Sequence, residues 1–181
     1  MKILIISSTI REGRKSHQVA LEVASQLNNR EGFTAEVIDI AETDLDNLKH
    51  LYKQDPSPSK VKSEIYDRFE ACDGYIFVSP EYNGSYCGAL KNTVDHYPKS
   101  CYQRKPIGVV TVSAGALGGM RAALQMQLLV LALMAYPMPK MLLTPNVGDK
   151  FEDGKLTDSS FSDTIESYLD DYTWFASKLK S

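Results

Sequence analysis

Basic excess, paired cysteines, clustered histidines and long apolar runs are all scarce in this chain, and each shortage removes a class of function. Twenty Lys and Arg against 23 Asp and Glu leave a formal charge of −3 over 181 residues. No concentrated basic face for a phosphate backbone follows from that balance, so nucleic acid is not an expected partner. The cysteines, Cys72, Cys87 and Cys101, have neither C-x-x-C spacing nor the density of a disulfide scaffold, which points to reduced thiols in a cytoplasmic protein. His17, His50 and His96 are not spaced as metal ligands, and no metal is expected. The apolar stretch Leu128–Met138 is too short to span a bilayer and contains Pro137, so membrane insertion is not expected. At the amino terminus MKILIISST is followed at once by Arg11, Arg14 and Lys15. It lacks the apolar length and cleavage site of a secretion signal and reads as a strand.

Two nucleotide signatures are also missing. No G-x-G-x-x-G follows the first apolar run, and no G-x-x-x-x-G-K-[ST] occurs anywhere. Asp39 ends the second apolar run, where a dinucleotide fold carries its ribose-binding acid; without the glycine loop it reads as a turn or cap residue.

What is present is alternation. Lys2–Ser7, Thr34–Ile40, Gly74–Ser79, Pro106–Ser113 and Lys140–Thr144 are rich in apolar and β-branched residues, as strands buried on both faces must be. Between them lie segments of helical spacing: from His17, about Ser59–Ala71, from near Gly88, about Met120–Ala135, and Ser159–Lys180. Hydrophobic residues make up 43% of the chain, enough for one core, and the whole of residues 1–181 is read as a single domain. The expected fold is α/β, a flavodoxin-like doubly wound five-stranded parallel sheet in the order 2-1-3-4-5. The helix after Gly119 is apolar nearly all round, so it is either a central core helix or a subunit interface. Val147–Leu156, with Asp153-Gly154 turn chemistry, reads as a surface excursion.

In that strand order the loops after strands one, three and four converge on one crevice. Ser8–Ser16 offers hydroxyls at Ser8, Thr9 and Ser16, cations at Arg11, Arg14 and Lys15, and the open N-terminus of a helix, a combination suited to a phosphate monoester. The plainer alternative is that Ser16 only caps that helix. Ser79–Gly88 and Ser113–Gly119 are rich in small residues that let a planar ligand approach backbone amides. An isoalloxazine ring fits: Glu81–Gly84 and Ala114–Gly118 amides reach its acceptor edges, and Tyr82 or Tyr86 covers its face. The positive end of the helix after Gly119 favours the anionic reduced ring. Asn83 and Gly84 suit a sharp turn at positive φ. Cys87 reads as a packing residue. Glu81 has no visible partner as a general base, so no catalytic residue is assigned.

The segments Thr9–Ser16 (TIREGRKS), Pro80–Asn92 (PEYNGSYCGALKN) and Ser113–Ala122 (SAGALGGMRA) resemble, in order and spacing, those of the NADPH-dependent FMN reductases. Ser8 stands where many members of that family have glycine. The resemblance implies FMN as cofactor, with NADPH or NADH as electron donor and free flavin, quinone or another small molecule as acceptor. It implies that Thr9, Arg11 and Ser16 hold the FMN phosphate. Pro80, Glu81, Tyr82, Asn83 and Gly84 would line the ring, and Ser113, Ala114, Gly115 and Gly118 would hold its other edge. It further implies a homodimer or homotetramer. The alternative is a flavodoxin-like FMN electron carrier without nicotinamide activity, which is expected to carry a strongly acidic docking face. A phosphatase of the same shape needs C-x5-R after the first strand, and a receiver domain needs acids there; Ser7 and Ser8 occupy that place instead.

Overall fold

The computed structural model describes residues 1–43 and 45–180. Five strands, β1 Lys2–Ser7, β2 Thr34–Asp39, β3 Gly74–Tyr82, β4 Pro106–Val112 and β5 Tyr136–Thr144, form the sheet. They are mutually parallel and ordered 2-1-3-4-5, as the alternation required. The helices are α1 Lys15–Asn28, α2 Lys60–Ala71, α3 Gly88–His96, α4 Met120–Ala132 and α5 Ser159–Lys180.

Both faces of the sheet are covered, which is why its strands carry no polar alternation. Ile3 and Ile5 of β1, Ile76 and Val78 of β3, and Val110 of β4 pack beneath Val19, Val23 and Leu27 of α1 and Phe161, Ile165 and Leu169 of α5. On the opposite face Leu4, Ile6, Tyr75, Phe77 and Val109 meet Ile65 and Phe69 of α2, Leu90 of α3 and Met126 of α4. The three cysteines are buried free thiols, and burial pushes the Cys101 thiol up to about 12.

The end of α4 and the start of the fifth strand differ from the expectation for physical reasons. Helix α4 stops at Ala132 because Met134 turns left-handed at φ 60°. The fifth strand then begins at Tyr136 rather than Lys140, and its register shifts between Ile107 and Val109 of β4. Pro137 and Pro139 lie in this strand. It is an edge, where their missing N–H groups break no second ladder.

Gly108 of β4 fixes how α5 seats. A Cβ there would stand 2.2 Å from the Tyr168 hydroxyl and 3.0 Å from the Tyr172 ring, both fully buried. Gly108→Ala is therefore expected to cost about 2–3 kcal/mol in chemical denaturation through overpacking. Adding Tyr168→Phe should recover part of that loss, since the removed hydroxyl has no hydrogen-bond partner among the described residues. A full-cost double variant would contradict this account of the packing.

Candidate functional site

The carboxyl ends of β1, β3 and β4 open into a cleft of about 330 Å³, within the usual range for a small-molecule site. Thr9, Arg11 and Ser16 line one end, Pro80, Glu81 and Tyr82 one wall, and Ser113 and Ala114 the other. The structure thus brings together these eight residues singled out from sequence, and Arg14 and Lys15 with them.

The first loop is organised from within. Gly13 takes φ 66°, Arg14 is extended, and α1 begins at Lys15, two residues earlier than its apolar spacing suggested. Arg14 occupies the N-cap position without a side-chain capping bond among the described residues. The first amides of α1 therefore face the cleft without intrahelical partners. Ser16 is not the cap. It lies inside the first turn, 3% exposed, and its hydroxyl finds no hydrogen-bond partner among the described residues. An orphaned hydroxyl beside open helix amides suits an anion with several acceptor oxygens.

Arg14 and Asp39 have a different role from any suggested by sequence. Both terminal nitrogens of Arg14 donate to the Asp39 carboxylate, and Nη1 also donates to the Thr9 carbonyl at 2.7 Å. Asp39 additionally accepts from the Ala41 amide, so the cap reading holds and an ion pair is added to it. Nδ1 of His17 lies 2.9 Å from the Ser7 hydroxyl and 3.5 Å from Asp39. The guanidinium is thus committed to loop geometry, whereas the Arg11 side chain is exposed at the rim.

On the second wall β3 continues into a hairpin, with Glu81 opposite Tyr86 and Tyr82 opposite Ser85. Its two-residue turn is Asn83-Gly84 at φ 52° and 79°, the pair of left-handed conformations that such tight hairpins require. The Tyr82 hydroxyl lies 3.0 Å from Thr9 Oγ1, joining the two walls. Glu81 does have partners: its carboxylate accepts from Arg121 at 2.8 Å and from the Ala122 amide of α4 at 3.3 Å.

Six of the sequence candidates are not in the cleft lining. Ser8 is fully buried, donating to the Val78 carbonyl at 2.6 Å with Cys87 Sγ 3.2 Å away. Asn83 and Gly84 form the tip of the hairpin. Gly115 closes the third loop, exchanging bonds with the Ser113 hydroxyl. Gly118 is turned inward at φ 60°, its carbonyl accepting from Thr111. Tyr86 packs on the core and leaves the cleft to Tyr82. Sequence reasoning did not single out Glu12, Gly13, Val112 and Val147, which also line the cleft. Val147 arrives from the segment read as a surface excursion. Its amide donates to Ser113 and that of Asn146 donates to Gly115, so this segment buttresses the third loop. The lone Val after Pro145-Asn146 was the available signal.

Residues 1–149 match the family described as NADPH-dependent FMN reductase. A quinone reductase of Pseudomonas putida is 37% identical over 120 residues, 61% of this chain and 64% of the relative. An FMN-dependent NADPH-azoreductase of Staphylococcus aureus is 28% identical over 181 residues, 97% of this chain and 95% of the relative. In fold the chain is similar to a flavoenzyme NAD(P)H:(acceptor) oxidoreductase from Paracoccus denitrificans, with TM-score 0.80 at 23% identity over 98% of this chain and 97% of that one.

Proposed function

The chain belongs to the NADPH-dependent FMN reductase family, and from that premise we propose that it is an FMN-containing oxidoreductase that oxidises NADPH and reduces a quinone, an azo compound or free flavin. The observation that carries the reading is the orphaned Ser16 hydroxyl at the open N-terminus of α1, in a cleft closed by the two other loops. FMN, when bound, would supply two-electron chemistry between the reduced nicotinamide and the acceptor.

The chain's own residues bind and orient. Ser16, Thr9, Arg11 and the first α1 amides hold the phosphate, and charge-assisted bonds make that hold strong. Pro80, Glu81 and Tyr82 present one wall to the ring, and Ser113 and Ala114 present the other. Asn83, Gly84, Gly115 and Gly118 support those walls by shaping their turns, and Ser8 anchors the first loop to β3. No side chain is assigned a proton transfer. Of the cations Arg14, Lys15 and Arg121, each able to meet the 2′-phosphate of NADPH, Arg14 is held by Asp39 and Arg121 pairs with Glu81, whereas Lys15 is exposed on the rim.

A one-electron carrier is disfavoured by the cationic rim. Steady-state oxidation of NADPH at several fixed quinone concentrations tests the reading. Parallel double-reciprocal lines are expected of two substrates that use one cleft in turn. NADPH oxidation that ignores every quinone, azo dye and flavin offered would contradict it.

The reading extends to a cytoplasmic homodimer formed by one 1–181 domain per subunit. Helix α4 buries Ala122, Ala123, Met126 and Val130 against the sheet, yet its outer face presents Leu124, Leu128 and Leu131 at 53%, 67% and 55% exposure. Leu117 and Met134, in the segments flanking this helix, are exposed at 67% and 64%. A monomer seldom leaves so continuous an apolar stripe to water. Light scattering should show twice the 20.2 kDa chain mass, and Leu128→Glu should weaken association at least about a hundredfold by burying a charge in the stripe. A wild-type protein of single-chain mass, or a variant that associates as tightly, would rule this face out as the interface.

A further inference from the structure

We propose that Gln125, a residue of α4 outside every recognisable motif, is a positioning residue that fixes the ring-facing hairpin. Its Nε2 donates to the Gly84 carbonyl at 2.8 Å, and its Oε1 accepts from the Ser85 hydroxyl at 2.6 Å. One amide thus holds two consecutive residues, the last of the turn and the first of the returning arm. A turn of helix earlier, Arg121 and the Ala122 amide hold Glu81 at the base of the same hairpin.

The hairpin needs that help. Only two residue pairs join its arms, Glu81 with Tyr86 and Tyr82 with Ser85, and so short a ribbon is marginal on its own in water. Tyr82 lines the cleft from this ribbon and touches Thr9 through its hydroxyl. Movement of the turn therefore moves a cleft wall. The side chain of Gln125 points along an exposed helix face, not into the core, so its two bonds organise the hairpin without being needed to fold the domain.

The effect on turnover rests on the flavin reading; the effect on the hairpin does not. Amide hydrogen exchange over Asn83–Tyr86 is measured for wild type, Gln125→Met, Ser85→Ala and the double variant, before and after addition of FMN, with thermal melting alongside. Gln125→Met should speed exchange there about tenfold, the effect of losing roughly one net hydrogen bond, with melting unchanged. Ser85→Ala should give a smaller increase that adds nothing in the Gln125→Met background, because both remove the same bond. In FMN-loaded protein the visible circular dichroism band should change shape and KM for NADPH should rise more than kcat falls. Wild-type exchange in Gln125→Met, or strictly additive effects, would overturn the proposal. Failure of the wild type to load FMN would instead overturn the flavin reading and leave the exchange result to decide this one.

Discussion

Ser16→Asp is expected to abolish FMN loading while leaving the apoprotein folded. The hydroxyl it replaces is 3% exposed and unpartnered among the described residues, within the first turn of α1. A carboxylate at that place is favourable to the helix, whose positive end welcomes an anion. It also occupies the place proposed for the phosphate. One added negative charge about 4 Å from a phosphate repels it by about 4 kcal/mol at an effective dielectric of 20, roughly a thousandfold in affinity. Equilibrium titration of apoprotein with FMN, followed by flavin fluorescence, reads this directly, and Ser16→Ala should show only the smaller loss of one hydrogen bond. If Ser16→Asp still binds FMN as wild type does, the phosphate is not at this helix.

Asp39→Ala should be the most damaging substitution outside the cleft lining. The carboxylate is 9% exposed in its side chain and the Arg14 guanidinium 19%, so removing one partner strands a charge in a largely dry place. Breaking such a pair costs about 3–5 kcal/mol. Arg14 also loses the support that lets it hold the Thr9 carbonyl, and Thr9 in turn meets Tyr82 across the cleft. Stability and FMN affinity should therefore fall together. The double variant Arg14→Met with Asp39→Leu separates the two effects. It should regain much of the stability, because two apolar groups can replace a buried pair, yet it should remain about fivefold weaker for FMN, since the Thr9 carbonyl has lost the Arg14 donor and a net hydrogen bond is worth about 1 kcal/mol. Full recovery of FMN affinity in that double variant would show that the pair serves stability alone.

These two residues illustrate what the sequence made legible. The sheet order followed from alternating strands and helices and from the missing glycine fingerprint, because two-sided burial leaves a plain apolar signature in each strand. The converging loops followed from that order. The direction of individual side chains did not. Ser8 and Thr9 look equivalent as hydroxyls after a strand, but the pleat sends Ser8 inward to Val78 and leaves Thr9 at the cleft. Arg14 looks like a phosphate contact in the sequence because Asp39, 25 residues away, becomes its partner only when β2 docks beside β1. Glu81 seemed unpartnered for the same reason, since Arg121 reaches it only across the packed sheet and α4. The α4 stripe is open to a core or an interface reading because helical spacing alone does not say which side meets the sheet: one face is sealed against it as core, while Leu124, Leu128 and Leu131 are left exposed.

The most direct test of the central claim is a visible absorption spectrum of the purified protein after adding FMN and removing the excess, followed anaerobically by NADPH and, in a second cuvette, NADH. Retained flavin absorbance that bleaches on mixing with NADPH is the expected result, and the NADH trace ranks the two donors. Retained flavin that neither nucleotide bleaches would contradict the reductase and leave an electron carrier. Absence of retained flavin even after saturating FMN would contradict the assignment of the cleft itself.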